Sequence, residues 1–246
     1  MILVYFVQEK MMFFPWKLAA DFQFNFKSTF EEKWTTFGQE KIHSLLFKNA
    51  NPKGVILYFH GNAGSLENWG EVAERIAVNL NWDVWMYDYP GYGKSSDKIR
   101  SEEQLLQVAQ AVFEDVRKNY PNSKIVLFGR SIGSGMAVHL ASRNQVHKLI
   151  LETPYTSLTD IAAKSYPYLP MFLLKYKMPS KDWIQRVKAP IMILHGTRDE
   201  VIPFAHAENL AKMVRDPVFV SFQGGYHNDL SDFKQYEEAL AQFLDN

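Results

Sequence analysis

The sequence predicts an α/β fold in which helices cover both faces of a mostly parallel central β-sheet. Short apolar runs such as Val55–Phe59 and Ile125–Phe128 lack the alternation of a half-exposed strand. Such runs are typical of parallel strands that are covered on both faces. Stretches of helical length separate these runs, and crossovers of this kind place successive strands parallel in one sheet.

The composition excludes several classes of function. Lysine and arginine together number 27, as do aspartate and glutamate, so no excess of positive charge attracts nucleic acid, and we expect no nucleic acid partner. The chain has no cysteine, which excludes disulfides, thiolate nucleophiles and zinc–thiolate or iron–sulfur sites. Single α/β domains commonly reach about 200–250 residues, and we expect residues 1–246 to form one domain.

An apolar segment opens the chain. Ile2–Val7 is a run of six apolar residues, whereas a membrane-spanning helix needs about twenty. No basic residue precedes the run and no small-residue cleavage site follows it, so a signal peptide fits poorly. We expect residues 1–14 either to pack on the domain or to be the remainder of a membrane anchor. The expected location is cytoplasmic, with weak peripheral membrane association through this segment as the alternative.

Predicted strands and helices then follow along the chain. Apolar patches in residues 22–49 predict antiparallel strands at one edge of the sheet, and these patches are Phe22, Phe24 and Phe26, then Trp34–Phe37 and Ile42–Phe47. The later predicted strands are Val55–Phe59, Asp83–Tyr87, Ile125–Phe128, Lys148–Leu151, Ile191–Leu194 and Val218–Phe222. The predicted helices are Glu67–Leu80, Glu102–Asn119, Met136–Ala141, Phe204–Val214 and Phe233–Leu244. Ser101 and Gln104 have the spacing of a capping box for the second of these helices.

The strand at Ile125–Phe128 leads into the sequence Gly129-Arg130-Ser131-Ile132-Gly133, and a helix follows. A serine on a tight strand-to-helix turn, in the pattern G-x-S-x-G, is typical of a nucleophile elbow. The glycines let strand and helix close around the turn, and the helix N-terminus offers free N–H groups. The motif alone is also compatible with a plain glycine-rich turn, so its interpretation depends on the other residues.

A serine nucleophile needs a base, and the base needs a carboxylate that orients it. Asp199 and His227 follow Ser131 in the chain, and each comes just after a predicted strand. Since ligands bind at the carboxyl ends of parallel strands, we expect these side chains to meet there. Taken singly, Asp199 could be a turn or helix cap and His227 a surface-loop histidine. Glu152 stays open as an alternative acid.

Acyl transfer also needs N–H donors for the developing oxyanion. We expect the backbone N–H of Ile132, directly after the nucleophile, and that of Asn62, in the H-G-N-A-G turn. His60 and His195 are expected to be structural hydrogen-bonding groups, because no metal-ligand spacing joins them to Asp88. We predict neither a metal nor a cofactor.

Residues 156–181 carry aromatics and prolines without one regular pattern. We expect a short cap over the sheet edge, too small for an independent lid, and therefore a shallow or open pocket. Apolar side chains in and just before this region are expected to line the substrate pocket or, as the alternative, to form the core of the cap: Tyr155, Tyr166, Tyr168, Phe172, Leu173 and Leu174.

Six motifs together, H-G-N-A-G-S, D-Y-P-G-Y-G-K-S-S, G-R-S-I-G, E-T-P-Y-T-S-L, H-G-T-R-D-E-V-I-P and G-G-Y-H-N-D, resemble those of the α/β-hydrolase superfamily over nearly the whole chain. The arginine of G-R-S-I-G and the opening Q-E-K-M-M-F-F-P are similar to the Bem-type branch, which includes the ABHD protein depalmitoylases. Members of that branch usually carry a hydrophobic anchor ahead of this stretch, where this sequence has Met1–Val7.

The resemblance implies an α/β-hydrolase fold with Ser131 as nucleophile, Asp199 as acid and His227 as base, and with oxyanion donors at Ile132 and Asn62. The function we expect is hydrolysis of small carboxylic esters or thioesters through an acyl-serine intermediate. Two alternatives stay open: a serine peptidase acting on short peptides, and a non-catalytic protein that keeps the fold and binds a partner.

Overall fold

The structure is a computed structural model that describes residues 8–166, 168 and 170–246. Its strands are β1 (Phe14–Pro15), β2 (Phe30–Phe37), β3 (Glu40–Phe47), β4 (Val55–Phe59), β5 (Ala63–Gly64), β6 (Asp83–Tyr87), β7 (Ile125–Arg130), β8 (Lys148–Glu152), β9 (Ile191–Gly196) and β10 (Val218–Phe222). Its helices are α1 (Leu66–Leu80), α2 (Glu102–Arg117), α3 (Ile132–Ala141), α4 (Leu158–Ser165), α5 (Ser180–Ile184), α6 (Ala205–Lys212) and α7 (Lys234–Asp245). Residues 8–12 form a short helical segment ahead of β1.

The central sheet contains eight strands in the order β10-β9-β8-β7-β4-β6-β3-β2. The strands from β10 to β6 pair in parallel, and β3 pairs antiparallel with both β6 and β2. Gly129 near the end of β7 lies opposite Phe59 of β4 and Leu151 of β8. The loops that follow these three strands therefore leave the sheet side by side. The predicted fold class is confirmed, and the strand that leads to Ser131 is central.

Alternate residues of the buried strands face two separate cores. In β7, Ile125 and Leu127 belong to the core under α2, α3 and α6, whereas Val126 and Phe128 belong to the core under α1 and α7. All four side chains have 0% exposure. Burying a side chain of this size contributes about 1.5–3 kcal/mol. Both faces of the strand therefore need apolar residues, which is why the sequence shows no alternation here.

The patch at Phe22, Phe24 and Phe26 is not a strand, contrary to the prediction, because residues 22–29 have no strand pairing. Its aromatic rings pack against β3 instead. Phe24 stacks on His43 with 5.5 Å between ring centroids, and Phe26 meets Phe47 edge-on at 5.1 Å. The alternating side chains are thus half-buried in a loop that packs over the sheet without a backbone ladder.

The predicted capping box is half formed. Ser101 Oγ accepts a hydrogen bond from the Gln104 N–H at 3.1 Å, as expected. The Gln104 side chain, however, accepts from the N–H of Arg100 at 2.7 Å rather than from that of Ser101. The N-terminus of α2 is still capped, since the Ser101 side chain satisfies one of the N–H groups that a helix end leaves free.

The expectation for Ile2–Val7 falls outside the described residues. The residues that follow pack on the domain: Gln8 and Phe13 are buried, and β1 pairs in parallel with β5. None of the described helices combines the length and the apolar character needed to cross a bilayer.

Candidate active site

Ser131 lies on the turn between β7 and α3, with φ of +53° and ψ of −121°. A left-handed φ costs a residue with a side chain about 1–3 kcal/mol, and close packing around the turn maintains it. A Cβ atom on Gly133 would overlap the Phe59 carbonyl, and one on Gly129 would lie 2.6 Å from Ser134 Cα. The two glycines therefore let β4, β7 and α3 approach closely enough to hold the serine.

Ser131, His227 and Asp199 form a continuous hydrogen-bonded chain. His227 Nε2 is 3.0 Å from Ser131 Oγ, and His227 Nδ1 is 2.7 Å from Asp199 Oδ2. The residues come from the loops after β7, β10 and β9, which end at the same edge of the sheet. When Nδ1–H donates to the carboxylate, the Nε2 lone pair faces the serine hydroxyl. This arrangement can take the proton of a serine nucleophile.

The Asp199 carboxylate has several donors. Its Oδ1 accepts from the N–H groups of Val201 and Ile202 at 2.9 and 2.8 Å, and its Oδ2 also lies 3.1 Å from His195 Nε2. Burial acts to raise the pKa of Asp199, but the hydrogen bonds from His195 and His227 outweigh burial and hold this pKa well below its ordinary value. Asp199 is therefore ionised at neutral pH and can stabilise a positive charge on the His227 imidazole.

Ile132 and Asn62, the two residues expected to donate to an oxyanion, lie in the same cavity wall as Ser131. Ile132 is the first residue of α3, so its N–H has no acceptor within the helix. The backbone N–H of Asn62 donates to no other described group.

Glu152, the alternative acid, pairs with other residues. Its Oε1 is 3.1 Å from Arg130 Nε, and its Oε2 accepts a hydrogen bond from Tyr236 Oη at 2.6 Å. Its backbone carbonyl accepts the N–H of Ser131 at 2.9 Å. Glu152 thus belongs to a buried ion pair beside the elbow, and Asp199 is the carboxylate that orients His227.

A cavity of about 390 Å³ opens beside Ser131. Small-molecule sites in proteins commonly measure about 300–1,000 Å³. The walls of the cavity beside Ser131 come from the N-terminal segment, from α4 and from the loop after β9, and most of the lining side chains are apolar. They include Met12, Leu158, Ile161, Ala162, Leu174 and Ile202. The cavity therefore suits an apolar group attached to the atom that Ser131 attacks.

Some of the residues expected to line a substrate pocket lie in the wall of this cavity, and others do not. Tyr155, Tyr166 and Leu174 line this cavity. Phe172 and Leu173 do not, contrary to the prediction, and neither does Tyr168. Phe172 and Leu173 lie on a 3₁₀ turn that directs the Phe172 ring to solvent, where it is 80% exposed, and Tyr168 is 97% exposed.

The N-terminal segment lines the cavity through Gln8, Met11 and Met12, which the sequence does not predict. Gln8 also binds the backbone of residues 173–175, because its Nε2 donates to the Leu173 carbonyl at 2.8 Å and its Oε1 accepts from the Lys175 N–H at 2.9 Å. These partners are 165 and 167 positions away in the chain. The only local signal is the apolar stretch M-M-F-F-P, which does not reveal what it packs against.

Residues 54–173 match a family model described as alpha/beta hydrolase fold. The chain is 34% identical over 200 residues to alpha/beta hydrolase domain-containing protein aho-3 of Caenorhabditis elegans. The aligned region covers 79% of this chain and 58% of that protein. It is 33% identical over 197 residues to alpha/beta hydrolase domain-containing protein 17B of Homo sapiens, covering 79% of this chain and 67% of the relative. The chain thus spans 58% and 67% of the lengths of these two relatives.

Solved hydrolase structures are similar in fold. The Pyrococcus furiosus esterase Pf2001 gives a TM-score of 0.72 at 17% identity, over 95% of this chain and 97% of that chain. Est1E from Butyrivibrio proteoclasticus, solved with ferulic acid bound, gives a TM-score of 0.71 at 20% identity, over 86% and 97%. At such low identity the likeness concerns the fold alone.

Proposed function

Since this chain belongs to the alpha/beta hydrolase family, we propose that it is a serine hydrolase that cleaves carboxylic esters or thioesters through an acyl-Ser131 intermediate. The supporting observation is the hydrogen-bonded chain from Ser131 through His227 to Asp199, with distances of 3.0 and 2.7 Å. A serine hydroxyl is a weak nucleophile until a base accepts its proton. Here the base stands within reach of the hydroxyl, and an ionised carboxylate fixes its orientation.

In the first step Ser131 Oγ bonds to the substrate carbonyl carbon while its proton passes to His227 Nε2. The carbonyl electron pair moves onto oxygen, where the N–H groups of Ile132 and Asn62 stabilise the charge. The tetrahedral intermediate then collapses, the bond from carbon to the leaving oxygen or sulfur breaks, and His227 returns the proton to the leaving alcohol or thiol. Water repeats these steps on the acyl-enzyme, which releases the carboxylic acid and restores Ser131.

The cavity beside Ser131 favours substrates with an apolar acyl group. Met12, Leu158 and Ile161 offer only apolar surface to such a group. Each methylene moved from water into an apolar site gains about 0.8 kcal/mol. The substrate class proposed is therefore a small ester or thioester whose acyl portion occupies this cavity.

The direct test is labelling with a fluorophosphonate, which reacts with activated serines. Wild-type protein should label and Ser131→Ala should not. Ser134→Ala is the matched control, because Ser134 lies one turn along α3 and donates to the Ser131 carbonyl instead of facing His227. This control should still label.

Turnover of p-nitrophenyl esters, of matched thioesters and of the corresponding anilides then assigns the reaction. Hydrolysis of esters or thioesters that disappears with Ser131→Ala supports the proposal. Folded wild-type protein that neither labels nor hydrolyses either substrate would overturn it in favour of a binding protein. Preferential cleavage of the anilides would favour a peptidase.

A further inference from the structure

The loop from His60 to Gly64 is held by its carbonyl groups. Each of the five carbonyls in this loop accepts a hydrogen bond from a different part of the protein or from a neighbouring ring. The His60 carbonyl accepts from Tyr89 Oη, the Gly61 carbonyl from His60 Nδ1, and the Asn62 carbonyl from both Phe14 N and Tyr92 Oη. The Ala63 carbonyl accepts from Trp69 Nε1 and the Gly64 carbonyl from Trp16 N. A loop whose carbonyls are all bonded has little freedom to rotate its peptide units.

Asn62 is the most strongly held residue of this loop. Its carbonyl accepts from Phe14 N–H at 2.9 Å and from Tyr92 Oη at 2.6 Å, which uses both lone pairs of the oxygen. Its side-chain Nδ2 donates to the Met12 carbonyl at 3.2 Å. The backbone N–H of Asn62, in contrast, donates to no other described group. The polar group left free is the one that the proposed reaction needs for the oxyanion.

We propose that Tyr92 is a positioning residue for the oxyanion hole. Its hydroxyl and the Phe14 N–H of β1 both bind the Asn62 carbonyl and so hold this residue in place. The Asn62 N–H then stays aimed at the carbonyl oxygen of the substrate. This inference rests on the proposed serine hydrolase function. Tyr92 touches neither Ser131 nor the cavity, and it acts only through Asn62.

The surroundings of Tyr92 suit this role. The side chain has 0% exposure, and its ring meets the Tyr89 ring edge-on with 5.6 Å between centroids. Burial raises the pKa of the Tyr92 hydroxyl well above its ordinary value, so the hydroxyl stays protonated and remains a donor. The next residue, Gly93, donates its N–H to the Trp16 carbonyl at 2.9 Å. The turn that carries Tyr92 is thus hydrogen-bonded to the N-terminal segment around Phe14–Trp16, which also pairs with the His60–Gly64 loop.

The size of the effect follows from what is lost. Removing an oxyanion donor outright lowers kcat by about 10²–10³. Removing Tyr92 Oη leaves the Asn62 N–H in place and still supported by the Phe14 bond, so the loss should be smaller, about tenfold in kcat. Ground-state binding involves the cavity more than the oxyanion hole, and KM should therefore stay unchanged.

The test compares Tyr92→Phe with Tyr87→Phe. Tyr87 is a matched control, because its ring packs on the same Tyr89 at 5.4 Å between centroids while its buried hydroxyl has no described partner. Each variant is titrated with a fluorophosphonate, and kcat is expressed per titrated site so that misfolded protein does not count. We expect Tyr92→Phe to lose about tenfold in kcat and Tyr87→Phe to match wild type.

Binding of a trifluoromethyl ketone, whose adduct with serine carries an oxyanion, separates positioning from a general structural role. Its inhibition constant should rise by the same factor as kcat falls in Tyr92→Phe, and it should not change in Tyr87→Phe. If Tyr92→Phe yields little folded protein, both constants are measured at a lower temperature on the fraction that titrates with the fluorophosphonate, beside wild type and Tyr87→Phe at the same temperature.

Equal kcat and inhibition constants for Tyr92→Phe and Tyr87→Phe, in a wild-type enzyme that is active, would overturn the inference. A fall in kcat without any change in inhibitor binding would also overturn it, because the oxyanion hole would then be intact. Wild-type protein without Ser131-dependent turnover would instead overturn the proposed function, so the two failures are distinguishable.

Discussion

The guanidinium of Arg130 donates a hydrogen bond to Asn228 Oδ1 at 3.1 Å, which joins the residue before Ser131 to the residue after His227. The same guanidinium is 3.1 Å from Glu152 Oε1 and lies over the Trp69 ring, 5.2 Å from its centroid. One buried cation thus connects the elbow with the loop of the proposed base.

Replacing Arg130 by methionine should destabilise the protein. Glu152 is 2% exposed, and removing one partner of a buried ion pair costs about 3–5 kcal/mol. The hydrogen bond from Tyr236 remains, so we expect a loss near the lower end of that range, measured by urea unfolding. Lys53→Met is the control, because Lys53 pairs with Asp245 at an exposed site and such pairs contribute about 0–1 kcal/mol. Equal losses in the two variants would contradict this account.

Asp199→Asn should leave the fold intact and lower kcat by about 10⁴. Asp199 Oδ1 accepts two backbone N–H groups, so the asparagine oxygen should take that position and its amide NH₂ should face His227 Nδ1. The imidazole then carries its proton on Nε2 and cannot accept one from Ser131. Circular dichroism checks the fold, and ester turnover measures the rate.

Glu152→Gln is the counterpart of that variant. Its activity per folded molecule should stay near that of wild type, because Glu152 is bonded to Arg130 and Tyr236 and not to His227. Loss of activity in Glu152→Gln with retention in Asp199→Asn would assign the acid to Glu152 instead.

The buried strands could be predicted from the sequence because both of their faces need apolar residues. Predicted strands Val55–Phe59 and Asp83–Tyr87 coincide with β4 and β6, in which every residue is buried. Ser131, Asp199 and His227 could be expected to meet because parallel strands bring their carboxyl ends to one edge. Helix ends were harder to predict, since a helix frays or tightens where local propensities are similar: the helix expected at Phe204–Val214 runs over Ala205–Lys212.

Other features depend on the path of the chain in three dimensions. The alternation of Phe22, Phe24 and Phe26 fits a strand and also fits a loop whose rings pack on β3, and only the packing decides between them. Met12 lines the cavity and its carbonyl holds Asn62, although the two residues are 50 positions apart. No local pattern encodes such a contact.

Filling the cavity should shorten the preferred acyl chain. Ala162 lines the cavity on α4, whereas its neighbour Ala163 is exposed on the same helix. Ala162→Phe should leave the turnover of acetate esters within about twofold and lower kcat/KM for long acyl chains, on the order of tenfold for every two methylenes that no longer fit. Ala163→Phe should leave the profile of p-nitrophenyl esters from acetate to dodecanoate unchanged. Identical profiles for the two variants would place the acyl group elsewhere.

Acid should destabilise the protein through two buried neutral histidines, His43 and His60. Burial lowers the pKa of each to about 4, against about 6.5 for an ordinary histidine. The unfolded chain therefore takes up these protons at a higher pH than the folded chain, so the stabilisation is complete above pH 6.5 and is lost as the pH falls through 4. Between pH 7 and pH 4.5 the free energy of unfolding should fall by about 2 kcal/mol for each histidine, as measured by urea unfolding.

His60→Asn tests this contribution directly. The asparagine amide can replace His60 Nδ1, which donates to the Gly61 carbonyl at 2.7 Å, but it does not titrate. The variant should be less stable than wild type at pH 7, because it fills the buried site less well. Its free energy of unfolding should nevertheless lose about 2 kcal/mol less than wild type between pH 7 and pH 4.5. Parallel curves for the two proteins would show that His60 takes up its proton equally in the folded and the unfolded chain.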